Sequence, residues 1–473
     1  MRLILTMLVL LMVAVGPSGA ASPALETFLA LERSRSGAPG LVYALVDGDR
    51  VRTRMHGAIP TGQGAPGDVD TPFLLGSISK SFTALAVMKL VEAGEVDLDD
   101  PVSAYVPVFE GRSSGLVTIR QLLSHTSGFS TIQGNAGPGD RRALDGALSR
   151  QVAEIASWEL ARPPGEAWVY SNANYLILGA LIEAVSGQEF AVHIQVEILD
   201  PLGMTDSFVA DGGHHDAMAL GHRPWFGAKR AMETAPTDPM TAPAGGVIAS
   251  ARDLGRYLAV MMNGEDDIVT ARTKAAMMAP ASEASPYYGF GWFIDASAGA
   301  VHHAGLSPSV ETLAVMHPED RRAALILVNA NGGLGFGESA RLLGGFAPAA
   351  LELPAPVFGG AVSRQALVLM FALAPLLFLA GLVLAVRGRA VLRAKSGMAG
   401  LFSLWFPLLM TSVLAVVALK IIPALFGAPL ASFQRYQPDF ALLLIATAAT
   451  GLLWALARLG LAYSGGFGVR TRA

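Results

Sequence analysis

Hydrophobic positions along this chain follow three rhythms, and each predicts a different kind of element. Leu41 to Val46 and Val51 to His56 flank Asp47-Gly48-Asp49 and read as the two strands of a hairpin, since a turn-forming pair separates two apolar, β-rich runs. A second hairpin is predicted from the alternation over Thr312 to Met316 and Ala323 to Val328, joined through Pro318-Glu319-Asp320. Gly289 to Ile294 and Glu311 to His317 also read as strands. Between these, apolar residues recur every three or four positions and predict helices over Lys80 to Ala93, Arg142 to Leu160, Tyr175 to Val185 and Ala251 to Asn263. Strands from both ends of a region that flank a helical middle imply an α+β fold. It would be an antiparallel sheet flanked by helices with an inserted helical subdomain, its active site at their junction.

The third rhythm is unbroken apolarity. Past a proline-rich linker (Ala347 to Pro356, with the linker proper taken as 350–365) come three runs, Ala366 to Val386, Leu401 to Leu419 and Phe440 to Ala457. Each meets or approaches the roughly 20 residues that cross a bilayer, and three in series read as transmembrane helices, not core. At the other end Arg2, the apolar stretch Leu3 to Val15 and the small residues of Gly16-Pro17-Ser18-Gly19-Ala20 have the layout of a secretory signal peptide over 1–20. The first connecting loop carries Arg387, Arg389, Arg393 and Lys395, the second has only Lys420 and Arg435, and the tail adds Arg458, Arg470 and Arg472. The positive-inside rule then puts the first loop and the C-terminus in the cytoplasm and the middle of the chain on the extracytoplasmic, periplasmic side of the inner membrane.

Composition narrows the function classes. With 52% hydrophobic and 15% charged residues the chain is too apolar for an ordinary soluble protein, and the excess sits at its ends. The absence of cysteine removes disulfides, thiol nucleophiles and cysteine-based zinc sites. A formal net charge of -4 gives no basic patch suited to nucleic acid. His214, His215 and His222 are the nearest thing to a metal set, but with no helical H-E-x-x-H arrangement no metal is expected. Asp97, Asp99 and Asp100 precede Pro101 and read as a solvated turn.

Candidate chemistry begins at Gly76-Ser77-Ile78-Ser79-Lys80. Helical periodicity through Ile78, Phe82, Leu85, Met88 and Val91 puts Ser77 and Lys80 on one face, roughly 5–6 Å apart at Cβ, a hydroxyl beside a base. Alone, this pattern is more often an N-terminal serine cap with a solvated lysine. Two further signals accompany it: Tyr170-Ser171-Asn172 ahead of an apolar helix, and His303-Ala304-Gly305 between apparent strands. These three elements, in this order, resemble the serine hydrolases of the class C β-lactamase and penicillin-binding-protein family, which also holds esterases and D-amino-acid peptidases. Leu122 to Phe129, Ala244-Gly245-Gly246-Val247 and Tyr288 to Trp292 echo the same family, and the resemblance runs from about Ala24 to Ala349.

The resemblance implies an acyl-enzyme at Ser77, with Lys80 and Tyr170 sharing the proton traffic and the choice of principal base left open. It assigns Asn172 to Lys80 and the substrate's acyl amide, and the oxyanion to the amides of Ser77 and Leu306, the residue after Gly305. His303 replaces the lysine that begins this triplet in β-lactamases and transpeptidases, which weakens any anionic anchor and favours ester or peptide hydrolysis over penicillin hydrolysis. His302 would face the other way as a structural neighbour, and His125 would organise its loop. The expected substrate is a small-molecule or cell-envelope ester or amide, with no metal or organic cofactor and no named protein partner. A β-lactamase or D-alanyl-D-alanine carboxypeptidase is the alternative enzyme, and an acylation-dependent sensor signalling through the three spans is the alternative of another class.

Overall fold

The computed structural model describes residues 23–136, 146–235, 237–333, 339–353 and 364–464. The expected signal peptide, Arg142 and most of the linker lie outside them. The described strands are β1 (Gly40–Asp47), β2 (Arg50–Gly57), β3 (Phe73–Leu74), β4 (Phe208–Val209), β5 (His222–Trp225), β6 (Ala228–Ala231), β7 (Val247–Ala249), β8 (Phe293–Asp295), β9 (Ala300–Leu306), β10 (Glu311–His317) and β11 (Arg322–Val328). Six of them form one antiparallel sheet in the order β2-β1-β11-β10-β9-β8. β1 pairs β11 with Leu41 opposite Val328, so the two predicted hairpins meet at the middle of the sheet.

Period-two alternation explains why both faces are covered. Val42, Ala44 and Val46 of β1, with Ala323, Leu325 and Leu327 of β11, join the large core shared with the helical subdomain. Leu41 and Tyr43, with Ala324, Ile326 and Val328, pack instead on Leu25 and Leu29 of the helix Pro23–Ser36 and Phe346 of the helix Ala340–Leu351. The fold is thus the expected α+β arrangement, with helices on both sheet faces. The helix Ser79–Glu92 is buried on nearly all sides, as its apolar circumference requires.

Three expectations change. Gly289 to Trp292 is a turn, and only Phe293–Asp295 pairs with β9. Gly291 has φ +80°, and a Cβ there would stand 2.7 Å from Ser81 Cα, so the turn presses directly on the Ser79 helix. The helix expected from Arg142 to Leu160 is described only over Ala147–Ala156. Ser77 lies in a 3₁₀ turn, Gly76–Ile78, ahead of the α-helix and not inside its first turn.

The three apolar runs are helices long and apolar enough to cross a membrane, at Val368–Arg387, Gly397–Leu425 and Pro438–Tyr463. The third is central and packs on the other two through small residues. Gly381 faces the Trp454 indole, while Gly451 faces Phe378 and Thr411. Lys420, expected in a connecting loop, sits in a π turn (Val417–Ile421) within the second helical run. Arg458, expected in the tail, lies inside the third helix and donates to Ser403 O at 3.1 Å. The bundle docks on the α+β region: Phe226 N, at the tip of the β5-β6 hairpin, donates to the buried carboxylate of Asp439 at 2.8 Å.

Candidate active site

Two glycines bring the Ser77 turn against the sheet. Gly76 has φ +58°, and a Cβ on it would lie 2.8 Å from Leu306 N. Gly305 is tighter, since a Cβ there would lie 1.9 Å from Leu75 O and 2.2 Å from Thr312 Oγ1. The hydroxyl of Thr312, next to β9 on β10, donates to Leu75 O at 2.7 Å and locks the approach. Only glycine lets the last residues of β9 reach the backbone beside Ser77. The amide of Leu306 therefore stands beside the turn that carries the serine.

Lys80 is fully buried, and its Nζ lies 3.2 Å from Ser77 Oγ and donates to Ala244 O at 2.7 Å. The acceptor loop is fastened to the same helix, because Thr83 Oγ1 donates to Pro243 O (2.7 Å) and Val247 N donates to Ser79 Oγ (2.9 Å). Burial drives the amine well below the ordinary lysine pKa. Burial pushes the Tyr170 phenol up, and the Ser77 hydroxyl near it opposes the shift only in part. The aromatic rings of Tyr170 and Tyr175 lie 5.0 and 5.6 Å from Lys80 Nζ.

His125 organises the loop beneath Tyr170, as expected. It takes φ +59° and its ring lies 4.4 Å from that of Tyr170. Ser171 N and Asn174 Nδ2 both approach His125 Nδ1, at 3.2 and 3.0 Å. Because a backbone N–H can only donate, Nδ1 is the acceptor and the proton resides on Nε2. Ser127 Oγ donates to Asn174 Oδ1 at 2.6 Å and completes the support.

Asn172 differs from its expected contact with Lys80. Its Nδ2 donates to Asn135 Oδ1 at 2.9 Å, and its buried Oδ1 has no hydrogen-bond partner. His303 is buried in β9, with Nδ1 2.7 Å from Ala304 O and Nε2 3.3 Å from the Tyr288 hydroxyl. The carbonyl fixes the proton on Nδ1. Burial foremost, then the charge of Lys80, pushes the imidazole pKa down to about 3, so the ring is neutral throughout the physiological range.

Trp168, Tyr170, Phe293, His302, His303 and Ala304 line an open apolar cavity of about 310 Å³. His302 is thus more than a neighbour: it stacks on Phe293 at 5.5 Å and helps form the wall. Trp168 could have been found in the sequence, since it stands two residues before Tyr170 in an extended segment and shares its face. Ala244 O, Thr312 and Asn135 could not, because a backbone acceptor and two remote polar side chains carry no local pattern. The three histidines weighed as a metal set go to separate partners, His214 to Asp216, His215 to Asp211 and His222 to Asn329 O.

A family model described as Beta-lactamase matches residues 25–347. Protein flp of Staphylococcus aureus (strain COL) is 25% identical over 323 residues, covering 65% of this chain and 63% of its own. Esterase EstB of Burkholderia gladioli is 36% identical over 188 residues, covering 37% of this chain and 47% of its own. The chain thus spans less than two thirds of the length of these relatives. Among solved structures, a D-stereospecific amidohydrolase from Streptomyces sp. is 26% identical with a TM-score of 0.53, covering 68% of this chain and 97% of that one.

Proposed function

The chain belongs to the Beta-lactamase family of serine hydrolases, and from that premise we propose that it is a membrane-anchored hydrolase that forms an acyl-enzyme at Ser77 on an ester or amide. The observation that carries this reading is the pairing on one oxygen. Ser77 Oγ is met by a buried amine 3.2 Å away, and the Tyr170 phenol stands near enough for the serine hydroxyl to act on its titration, beside an apolar cavity.

The two shifts divide the labour. Burial disfavours every charged form, so Lys80 is held toward the free amine and Tyr170 toward the neutral phenol. A free amine accepts a proton and a neutral phenol donates one. Lys80 is therefore the principal base: it takes the Ser77 proton as Oγ attacks the carbonyl carbon. The amides of Ser77 and Leu306 receive the developing oxyanion, and Tyr170, replenished from Lys80, protonates the departing oxygen or nitrogen. Water attacks the acyl-enzyme by the same relay in reverse and frees the acid.

A neutral His303 supplies no fixed cation for a substrate carboxylate, which favours neutral esters and amides over penicillins or a C-terminal D-alanine. The esterase and amidohydrolase among the relatives fit that preference. Support for the extracytoplasmic side comes from the basic residues at the end of the bundle remote from the hydrolase, Arg387, Arg389, Arg393 and Lys395.

The test is the full chain in detergent with p-nitrophenyl acetate and a chromogenic cephalosporin, each against Ser77→Ala. Ester turnover reduced at least ~10³-fold in the variant, with little cephalosporin cleavage, is expected. Turnover indifferent to Ser77→Ala would sink the nucleophile. Fast cephalosporin cleavage would favour the β-lactamase alternative, and stable labelling without release would favour the sensor.

A further inference from the structure

Residues 426–437 connect the second apolar helix to the third, and they are tied to both lips of the cleft. On the helical lip, Asn135 Nδ2 donates to Gly427 O at 2.8 Å and Ser432 Oγ donates to Asn135 O at 3.1 Å. Asn135 Oδ1 is the atom that accepts from Asn172. On the sheet lip, Asn331 Nδ2 donates to Tyr436 O and to Pro308 O, both at 3.1 Å, and Pro308 is two residues past Leu306. Tyr436 stands near enough to Tyr170 to act electrostatically on its phenol. The connection is itself rigid. Its short helix Leu430–Tyr436 is nailed to the bundle by Phe433, fully buried, with ring contacts of 5.7 Å to both Phe426 and Phe440.

The placement has a direction. Strand β9 runs along the cleft from His302, in the aromatic cavity, to Leu306, roughly 13 Å further at strand rise. A substrate carbonyl held over Ser77 sends one substituent each way. The proton donor for the leaving group, Tyr170, lines the aromatic cavity, so the leaving group lies there and the acyl group points past Leu306. That is where Asn172, Asn135 and the connection stand.

We propose that residues 426–437 form the end wall of the acyl subsite, with Tyr436 across the cleft, so that a segment of the membrane anchor restricts this hydrolase to short acyl groups. The inference rests on Ser77 being the acylated residue, and the experiment separates the two. Full-length protein in detergent is assayed with p-nitrophenyl acetate, butyrate and octanoate, and the ratio of kcat/KM for acetate to that for octanoate is compared within each sample, where incomplete folding cancels. The wild-type chain is expected to favour acetate strongly. Tyr436→Ala should lower the ratio about tenfold or more by admitting octanoate, Tyr436→Phe should preserve it, and Ser432→Ala should lower it to a smaller degree by loosening the connection. Equal changes for all three esters in Tyr436→Ala, or a wild-type chain indifferent to acyl length, would overturn the wall. A uniform rise in activity would mean that the connection obstructs the whole cleft, which also overturns it. Turnover surviving Ser77→Ala overturns the acyl-enzyme reading independently of the ratio.

Discussion

Lys80 accepts a proton only as the free amine, and among the described residues its partners are Ser77 Oγ, the carbonyl of Ala244 and the rings of Tyr170 and Tyr175, with no carboxylate hydrogen-bonded to it. With the pKa lowered, the active form predominates above that value and is lost as pH falls through it. The acid limb of kcat/KM should therefore lie well below 10.5, the ordinary lysine value. Lys80→Arg keeps the charge but cannot deprotonate, so it should lose on the order of 10²–10⁴ in kcat/KM and abolish that limb. A pH profile of ester hydrolysis checks both. Ser77 and Lys80 could be paired from the sequence because they share a short helical spacing, whereas Tyr170 was brought to them by the family resemblance alone. The contact expected between Asn172 and Lys80 was not correct, since a distant partner, Asn135, claims the carboxamide. Nothing near Asn172 in the sequence encodes that competition.

At the scale of elements, the site depends on backbones touching. Gly305→Ala would push a methyl group into Leu75 O and Thr312 Oγ1 and drive β9 away from the Ser77 turn. Loss of a positioned oxyanion donor costs about 10²–10³ in kcat, and overpacking costs about 1–3 kcal/mol in stability. Ester kinetics and a thermal melt on the variant should show both effects, whereas Gly299→Ala, which would meet nothing within 4 Å despite its φ of +60°, should cost stability alone. The two hairpins were readable because alternation and turn residues agreed over each. Gly289 to Trp292 misled for the opposite reason. Its apolar residues serve a turn shaped by contact with the Ser79 helix, and that contact spans some two hundred residues of sequence, roughly, beyond any local window.

For the whole molecule, composition disclosed the three apolar helices, but their docking on the hydrolase region depends on single polar contacts between remote segments. Asp439 is the clearest. It opens the third helix, where a negative charge is favoured, and accepts from Phe226 N as well as from Phe440 N. Asp439→Ala leaves the Phe226 amide unpaired at a cost of about 1–3 kcal/mol. Hydrogen exchange should then accelerate about tenfold or more across the β5-β6 hairpin while β1 and β11 stay protected, and unchanged exchange there would count against a docked bundle. The pairing of β1 with β11 also has a consequence in time. During synthesis β1 emerges first and its partner follows roughly 280 residues later, about 15–60 s at ordinary elongation rates. The central sheet cannot close until then, and by that point only the short stretch to Arg364 separates the growing chain from its first apolar helix. Closure of the central sheet and synthesis of the first apolar helix are therefore nearly simultaneous events, and a pause in translation placed just before β11 should leave β1 without its central partner and the sheet protease-sensitive.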